Sequence, residues 1–259
     1  IREYGAVDIH TFYYYPNFAT QKRRYKRTHS YTISITKDIL RYNDLFNHIY
    51  ATTIYDGVLP ANMTQYDVHK KPYFLYAGRL EQIKGILPLI DAYAEYCKRH
   101  PTPLPLHIAG SGTTTYTQLV KDKISKYNIE DKVTLLGMRD DILSLYKEAK
   151  ALIVSSLTEG FGFITSEAMF CGCLVIGNDV AGTKEQFDNG LEMTGKDIAL
   201  RYTKQEELVQ HMIDVSNNGI EHYEPMILRA QQVVKQLYST EQNAQRVYQL
   251  YTSIVNKNK

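Results

Sequence analysis

Tryptophan is absent from this 259-residue chain, cysteine occurs only three times, and no apolar run approaches the ~18 residues that a membrane-spanning helix needs. The N-terminus lacks a basic segment followed by an apolar one, so no secretion signal is read and a cytoplasmic location is expected. Cys97, Cys171 and Cys173 are odd in number and without zinc-type spacing, and the Cys171-Gly-Cys173 pair sits in an apolar stretch. Buried, reduced thiols follow from that pattern. Lys and Arg number 30 against 28 Asp and Glu, a net charge of +2, too small for a nucleic-acid binder that relies on its global field. With 22 tyrosines in the chain, the run Tyr13 to Tyr15 counts for little as a sugar-stacking surface.

What is present is a globular composition, 44% hydrophobic and 22% charged, which excludes disordered and collagen-like classes and supplies a sizeable core. The length allows one full domain plus a fragment, or two small domains. The chain opens on Ile1 rather than Met, as expected of a trimmed sequence or one whose upstream part is absent.

Residues 1–71 read as a partial N-terminal segment and linker. They hold the basic run Lys22, Arg23, Arg24, Lys26 and Arg27, a strand-like Tyr31 to Thr36, a short amphipathic helix over Asp38 to His48, and a turn signal at Asp56-Gly57. Ala61 to Lys71 reads as the linker. From Pro72 the pattern becomes strands alternating with helices, the mark of a parallel sheet covered on both faces. Strands are expected at Tyr73–Ala77, Leu104–Ala109, Lys132–Leu136, Ala151–Ser155 and Cys173–Gly177, with helices between them at Gly85–His100, Tyr116–Tyr127, Asp140–Ala149 and Gly162–Phe170. Asp140 and Asp141 are expected to favour the N-terminal end of their helix dipole. Polar helices near Gln205–Ser216, Glu224–Leu237 and Glu241–Val255 close the chain. The division expected is therefore 1–71, a Rossmann-like domain over 72–237, and a C-terminal helix over 238–259 that packs back toward the N-terminal segment.

Ligands of open parallel sheets bind at loops after the strands' carboxyl ends. The first such loop, Gly78-Arg79-Leu-Glu-Gln-Ile-Lys84-Gly85, places two cations five residues apart at a helix start, where free N–H groups already favour an anion. A planar guanidinium and a point-charge ammonium suit a diphosphate; in isolation the same loop also reads as two solvated cations. The second, Gly110-Ser111-Gly112, lacks the third glycine of a dinucleotide fingerprint and reads as a turn of close backbone approach. The third runs from Ser155 through Glu159-Gly160-Phe161-Gly162-Phe163-Ile164 to Glu167. It puts two carboxylates along one cleft wall, each able to accept the paired hydroxyls of a sugar.

Together, Gly-Arg-Leu with Lys84-Gly85, Glu159-Gly-Phe-Gly-x4-Glu167-Ala-Met, Leu174-Val-Ile-Gly and Ala181-Gly182-Thr-Lys-Glu185 resemble the C-terminal donor domain of the retaining GT-B glycosyltransferases of family 4, also called group 1. The resemblance spans about Tyr73 to Phe187. It implies an α/β fold with a Rossmann-like parallel sheet and a nucleotide diphosphate sugar, UDP- or GDP-linked, as donor. Arg79 and Lys84 match the pair that holds the diphosphate, and Glu159 the donor-sugar ligand; these three are the catalytic set implied. Gly160, Phe161 and Gly162, followed by Phe163 and Ile164, match backbone touching the sugar and phosphate, and Glu167 the ribose ligand. Gly78 opens the first loop, and Gly137, Met138 and Arg139 sit where the base is read. No metal or cofactor is implied: Asp-x-Asp occurs nowhere in the sequence, and the two cations supply the charge a metal would bring.

The reaction implied is transfer of a hexose, with retention, to a carbohydrate or lipid-linked acceptor, in the manner of bacterial surface-polysaccharide assembly. The ordinary reading of the basic run is a solvated face; such a cluster also suits a peripheral contact with the inner membrane face or with an acceptor phosphate. Only about 70 residues stand where the family carries a full acceptor half, and no Gly-Gly loop is among them. His10 and His29 are candidates for the histidine that the family often carries near the reacting sugar, although surface or core roles are the ordinary reading of each. The alternative is a donor-binding module that works with a separate acceptor chain. A nicotinamide-dependent reading through Gly110–Gly112, with Glu130 or Asp131 on ribose, leaves Arg79, Lys84 and the glutamate pair without a role.

Overall fold

The structure, a computed structural model, describes residues 9–12, 31–63 and 66–257. The strand Lys71–Ala77 shows why the fold forms: after its first two residues every side chain is buried, as in a strand covered on both faces. Tyr73, Leu75 and Ala77 enter one core, while Phe74 and Tyr76 enter another. The period of two that sends side chains to opposite faces thus produces two hydrophobic layers from one apolar run.

Three short strands, β1 (Ile9–Phe12), β2 (Tyr31–Ser34) and β3 (Ala51–Thr53), form a small parallel sheet in that order, with helix α1 (Lys37–Tyr42) between the last two. The second sheet follows as β4 (Lys71–Ala77), α2 (Ile86–Arg99), β5 (Leu106–Ala109), α3 (Thr114–Lys126), β6 (Val133–Gly137), α4 (Ile142–Glu148), β7 (Ala149–Val154), α5 (Phe163–Phe170), β8 (Leu174–Asn178), α6 (Ala181–Thr194) and β9 (Leu200–Tyr202). Helices α7 (Gln205–Asn217), α8 (Glu224–Tyr238) and α9 (Thr240–Lys257) complete the chain. The six strands are all parallel in the order β6-β5-β4-β7-β8-β9. Helices α2, α3 and α7 bury their apolar stripes on one face, and α4, α5, α6 and α8 on the other. This is the Rossmann-like α/β architecture expected from the sequence, with its order reversing between β4 and β7.

Several local expectations change. The helix expected over Asp38–His48 stops at Tyr42, because Asn43 turns its amide onto the Ile39 carbonyl at 2.7 Å and Asp44 takes a left-handed φ of 55°. Ile54 to Pro60 forms no turn and is tied elsewhere instead: the Val58 N–H donates to the Tyr238 carbonyl, and Leu59 bridges to Ser239. Gly57 serves close approach there, since a Cβ would lie 2.7 Å from Thr240 Cα. Asp140 and Asp141 stand at the N-terminal end of α4 as expected, but Asp141 forms no side-chain cap there and instead accepts from Arg139. Strand β9 and helix α6 were not expected. Strand β9 is three residues long, and the buried face of α6 carries Thr183, Glu185, Gln186 and Asn189, so neither shows an apolar period.

The three thiols are free, with Cys171 and Cys173 buried. No helix among the described residues is long and apolar enough to cross a membrane. Tyr13 to Tyr15, the basic run at 22–27 and His29 lie outside the described residues, while His10 falls in β1.

Candidate donor site

The sheet order reverses between β4 and β7, and the loops leaving those two strands meet there, where open α/β sheets form a crevice. The meeting is backbone-deep. The Leu157 N–H donates to the Ile83 carbonyl at 2.9 Å, and the Ser155 hydroxyl donates to the Lys84 carbonyl at 2.9 Å. Gly85 lets the chain turn into α2 at φ 66°, and a Cβ on it would lie 1.9 Å from the Ser155 carbonyl oxygen.

This stitching carries Lys84 onto Glu159. The ammonium Nζ stands 2.6 Å from Glu159 Oε1, and the Ser156 hydroxyl donates to the same oxygen at 2.7 Å. The pair is largely sheltered, with side-chain exposures of 19% and 11%. Arg79 behaves differently: its guanidinium is exposed and pairs with Glu81 at 2.8 Å, a contact that solvent makes weak and easily exchanged for an anion.

Beside the pair lies a cleft of about 250 Å³ that gathers Gly78, Arg79, Met138, Arg139, Ile164 and Glu167 from two loops and one helix. Gly110, Ser111 and Tyr146 line it as well. Glu159 and Lys84 stand next to this cleft rather than in its wall. Gly137 ends β6 at φ 68° with open space around it, and the Arg139 side chain is held by Asp141. Phe161 sends its ring into the core, edge-on to Tyr238 and Phe163, leaving only its backbone for a ligand. Gly162 precedes α5 at φ 90°, and Phe163 is exposed at the first helical position.

The sequence reading missed Tyr146, Ser156 and Gln186. Tyr146 is a buried helix residue whose hydroxyl donates to Glu167 Oε2 at 3.3 Å. Its spacing offered no signal, because α4 and α5 meet only in three dimensions. Ser156 adjoins the glutamate motif, and its short hydroxyl beside a carboxylate was the available clue. Gly110 and Gly112 are turns of close approach: a Cβ on Gly110 would fall 1.8 Å from the Gly78 carbonyl oxygen, and one on Gly112 would fall 2.3 Å from that of Leu80.

Burial raises the Glu167 carboxyl above its ordinary value of 4.5, partly offset by the Tyr146 hydroxyl. The folded state therefore holds this proton more tightly than the unfolded chain does. Stability contributed at acid pH is lost as pH rises from 4.5 through the raised value, where the ionised group is desolvated. Glu167→Gln should match wild type in urea unfolding below that window and be the more stable of the two above it. A gap that does not change with pH would contradict this.

Residues 62–233, more than half of the chain, match the model of the family described as glycosyl transferases group 1. The chain is 28% identical over 171 residues to the N-acetyl-alpha-D-glucosaminyl L-malate synthase of Bacillus anthracis, covering 62% of this chain and 43% of that one. It is 30% identical over 186 residues to the phosphatidylinositol N-acetylglucosaminyltransferase gpi3 subunit of Schizosaccharomyces pombe, covering 70% and 38%. The chain thus spans well under half the length of these two relatives. Its fold superposes on Anabaena Alr3699/HepE, solved in complex with UDP, with a TM-score of 0.81 and 19% identity over 95% of this chain and 72% of that chain. The chain belongs to the group 1 glycosyl transferases.

Proposed function

We propose that this group 1 glycosyl transferase holds a nucleotide diphosphate sugar in the cleft between β4 and β7. It transfers the hexose, with retention, to a carbohydrate or lipid-linked acceptor, as in bacterial surface-polysaccharide assembly. The observation that carries the reading is the Lys84–Glu159 pair at 2.6 Å, set beside a cleft that contains Arg79 and Glu167. HepE, solved with UDP, with UDP and glucose, and with UDP-glucose, supports the donor class. In this reading residues 72–237 hold the donor, residues 1–71 are a partial acceptor-side segment and linker, and the helix over 238–259 packs back toward that segment.

The roles follow from charge. A donor diphosphate draws Arg79 from Glu81 and shares Lys84 with Glu159, so both cations face the negative charge that grows on the leaving group. Glu167 accepts from ribose hydroxyls, and Glu159 from the sugar. The bond from the sugar's anomeric carbon to the phosphate oxygen breaks as the acceptor hydroxyl attacks the same face and gives its proton to the departing phosphate. Glu159 is a sugar ligand in this scheme, not a nucleophile, and no metal is required. We place the chain in the cytoplasm, with the basic run at 22–27 touching the inner membrane face.

A second reading, a donor-binding module completed by a separate acceptor chain, is favoured by the small sheet β1-β2-β3, three strands among the described residues. Both readings predict the same titration. Calorimetry with UDP, GDP and ADP should show one binding, and the matching nucleotide sugar should bind too. Glu167→Ala should weaken the free nucleotide, whereas Glu159→Ala should weaken only the sugar-bearing donor. The reverse pattern would exchange the two assignments, and binding of none would remove the proposal. Turnover of the donor with an acceptor then separates enzyme from module.

A further inference from the structure

The loop between β7 and α5 is held from behind by helix α6 through groups that the donor scheme does not use. The Gly182 N–H donates to the Glu159 carbonyl at 3.0 Å. The Gln186 amide, itself 1% exposed, donates through one nitrogen to the Phe161 carbonyl at 2.6 Å and the Gly162 carbonyl at 3.0 Å. Its orientation is set in turn by Ser166, whose hydroxyl donates to Gln186 Oε1 at 2.7 Å. Gly182 permits the approach, since a Cβ there would lie 2.5 Å from the Gly160 carbonyl oxygen and 2.7 Å from that of Phe161.

Peptide planarity converts these bonds into a direction. In a trans peptide the carbonyl of one residue and the N–H of the next point oppositely. With the carbonyls of Glu159, Phe161 and Gly162 all turned onto α6, the N–H groups of Gly160, Gly162 and Phe163 point away from it. The last of these opens α5, so it has no intrahelical acceptor. The arrangement is a poor device for stability alone: Thr165 and Thr183, buried beside Gln186 and Gly162, keep hydroxyls without a partner among the described residues. An apolar layer would pack the same space without orphaned groups.

We infer that Gln186, oriented by Ser166, is a positioning residue that aims the N–H groups of Gly160, Gly162 and Phe163 at the phosphate and sugar of the donor. This rests on the donor-site reading above. Wild-type binding of UDP tests that reading, and two variants of the full chain test the inference.

Gln186→Leu keeps the volume but removes the amide, and Ser166→Ala frees the amide to rotate. Each should lower affinity for UDP and UDP-glucose by about tenfold or more, with uridine, which lacks phosphates, bound as in wild type. Equal losses for all three ligands would overturn the inference, because they would report general loosening. A second measurement reads the amides directly: saturating UDP should slow hydrogen exchange at Gly160, Gly162 and Phe163 in wild type, and slow it less in both variants, while α2 and α3 amides exchange alike in all three proteins. No slowing at those three amides in wild type that binds UDP, or equal slowing in all three proteins, would overturn the inference. Should Gln186→Leu fail to fold, Ser166→Ala carries both measurements.

Discussion

Alanine at position 84 is expected to weaken nucleoside diphosphate binding by about 1.5–3 kcal/mol, the range for a charge-assisted hydrogen bond, which is roughly 10- to 150-fold in affinity. The size follows from shelter. The Lys84 ammonium is 19% exposed and its partner Glu159 11%, so solvent screens this charge less than it screens Arg79 at 68%. Removing it also leaves Glu159 Oε1 with only the Ser156 hydroxyl, and that uncompensated carboxylate faces the incoming phosphate. Both changes act against the anion. Lys84→Arg should recover part of the loss, because charge returns but a planar fork replaces a point donor. Calorimetry with the diphosphate that wild type binds is the measurement. Unchanged affinity in Lys84→Ala would confine the lysine to holding Glu159.

Gly110→Ala should produce the largest loss of stability of any single methyl added to the site loops, about 3–5 kcal/mol, since it combines backbone strain with a collision. Its φ of 144° is a conformation that L side chains rarely adopt, and the new Cβ would stand 1.8 Å from the Gly78 carbonyl oxygen. That oxygen is backbone and cannot swing aside. Relief requires separating the loops after β4 and β5, which are joined through Gly78 N–H to the Ala109 carbonyl and Leu80 N–H to the Ser111 carbonyl. The cleft would open with them. Gly137→Ala is the matched control: its φ is 68°, but nothing lies within 4 Å of the added carbon. It should lose only the left-handed penalty, about 1–2 kcal/mol. Thermal unfolding resolves the two, at roughly 2–4 °C per kcal/mol in a chain of this size. Equal shifts would mean that the collision is relieved at no cost.

The central strands were legible because burial on both faces leaves an uninterrupted apolar run, as in Tyr73–Ala77 and Leu174–Ile176. The loops after them were legible for a related reason, since glycines and charges interrupt such runs abruptly at Gly78-Arg79 and Glu159-Gly160. Helix α6 was not, because its inward face bonds to other parts of the chain instead of packing as hydrocarbon. Glu185 accepts from the N–H groups of Lys37 and Asp38 and from the Tyr55 hydroxyl, and Gln186 from Ser166. Polar side chains of that kind look like a solvated surface until their distant partners are known. The end of α1 was misread similarly, because the side-chain bond of Asn43 competes with helix continuation and no apolar pattern announces it.

The amino-acid sequence by itself determined the alternation of strands and helices, the positions of the site loops, and the types of group they carry: two cations, two carboxylates and the glycines between them. These are local properties, set by periodicity and by the chemistry of neighbouring residues. Only the tertiary structure decided that Lys84 meets Glu159 across 75 positions, that Glu167 is desolvated beside Tyr146, and that Gln186 directs a loop from behind. Each of those depends on which strands become neighbours. The reversal of sheet order between β4 and β7 brings distant loops together, and no local pattern encodes that distance.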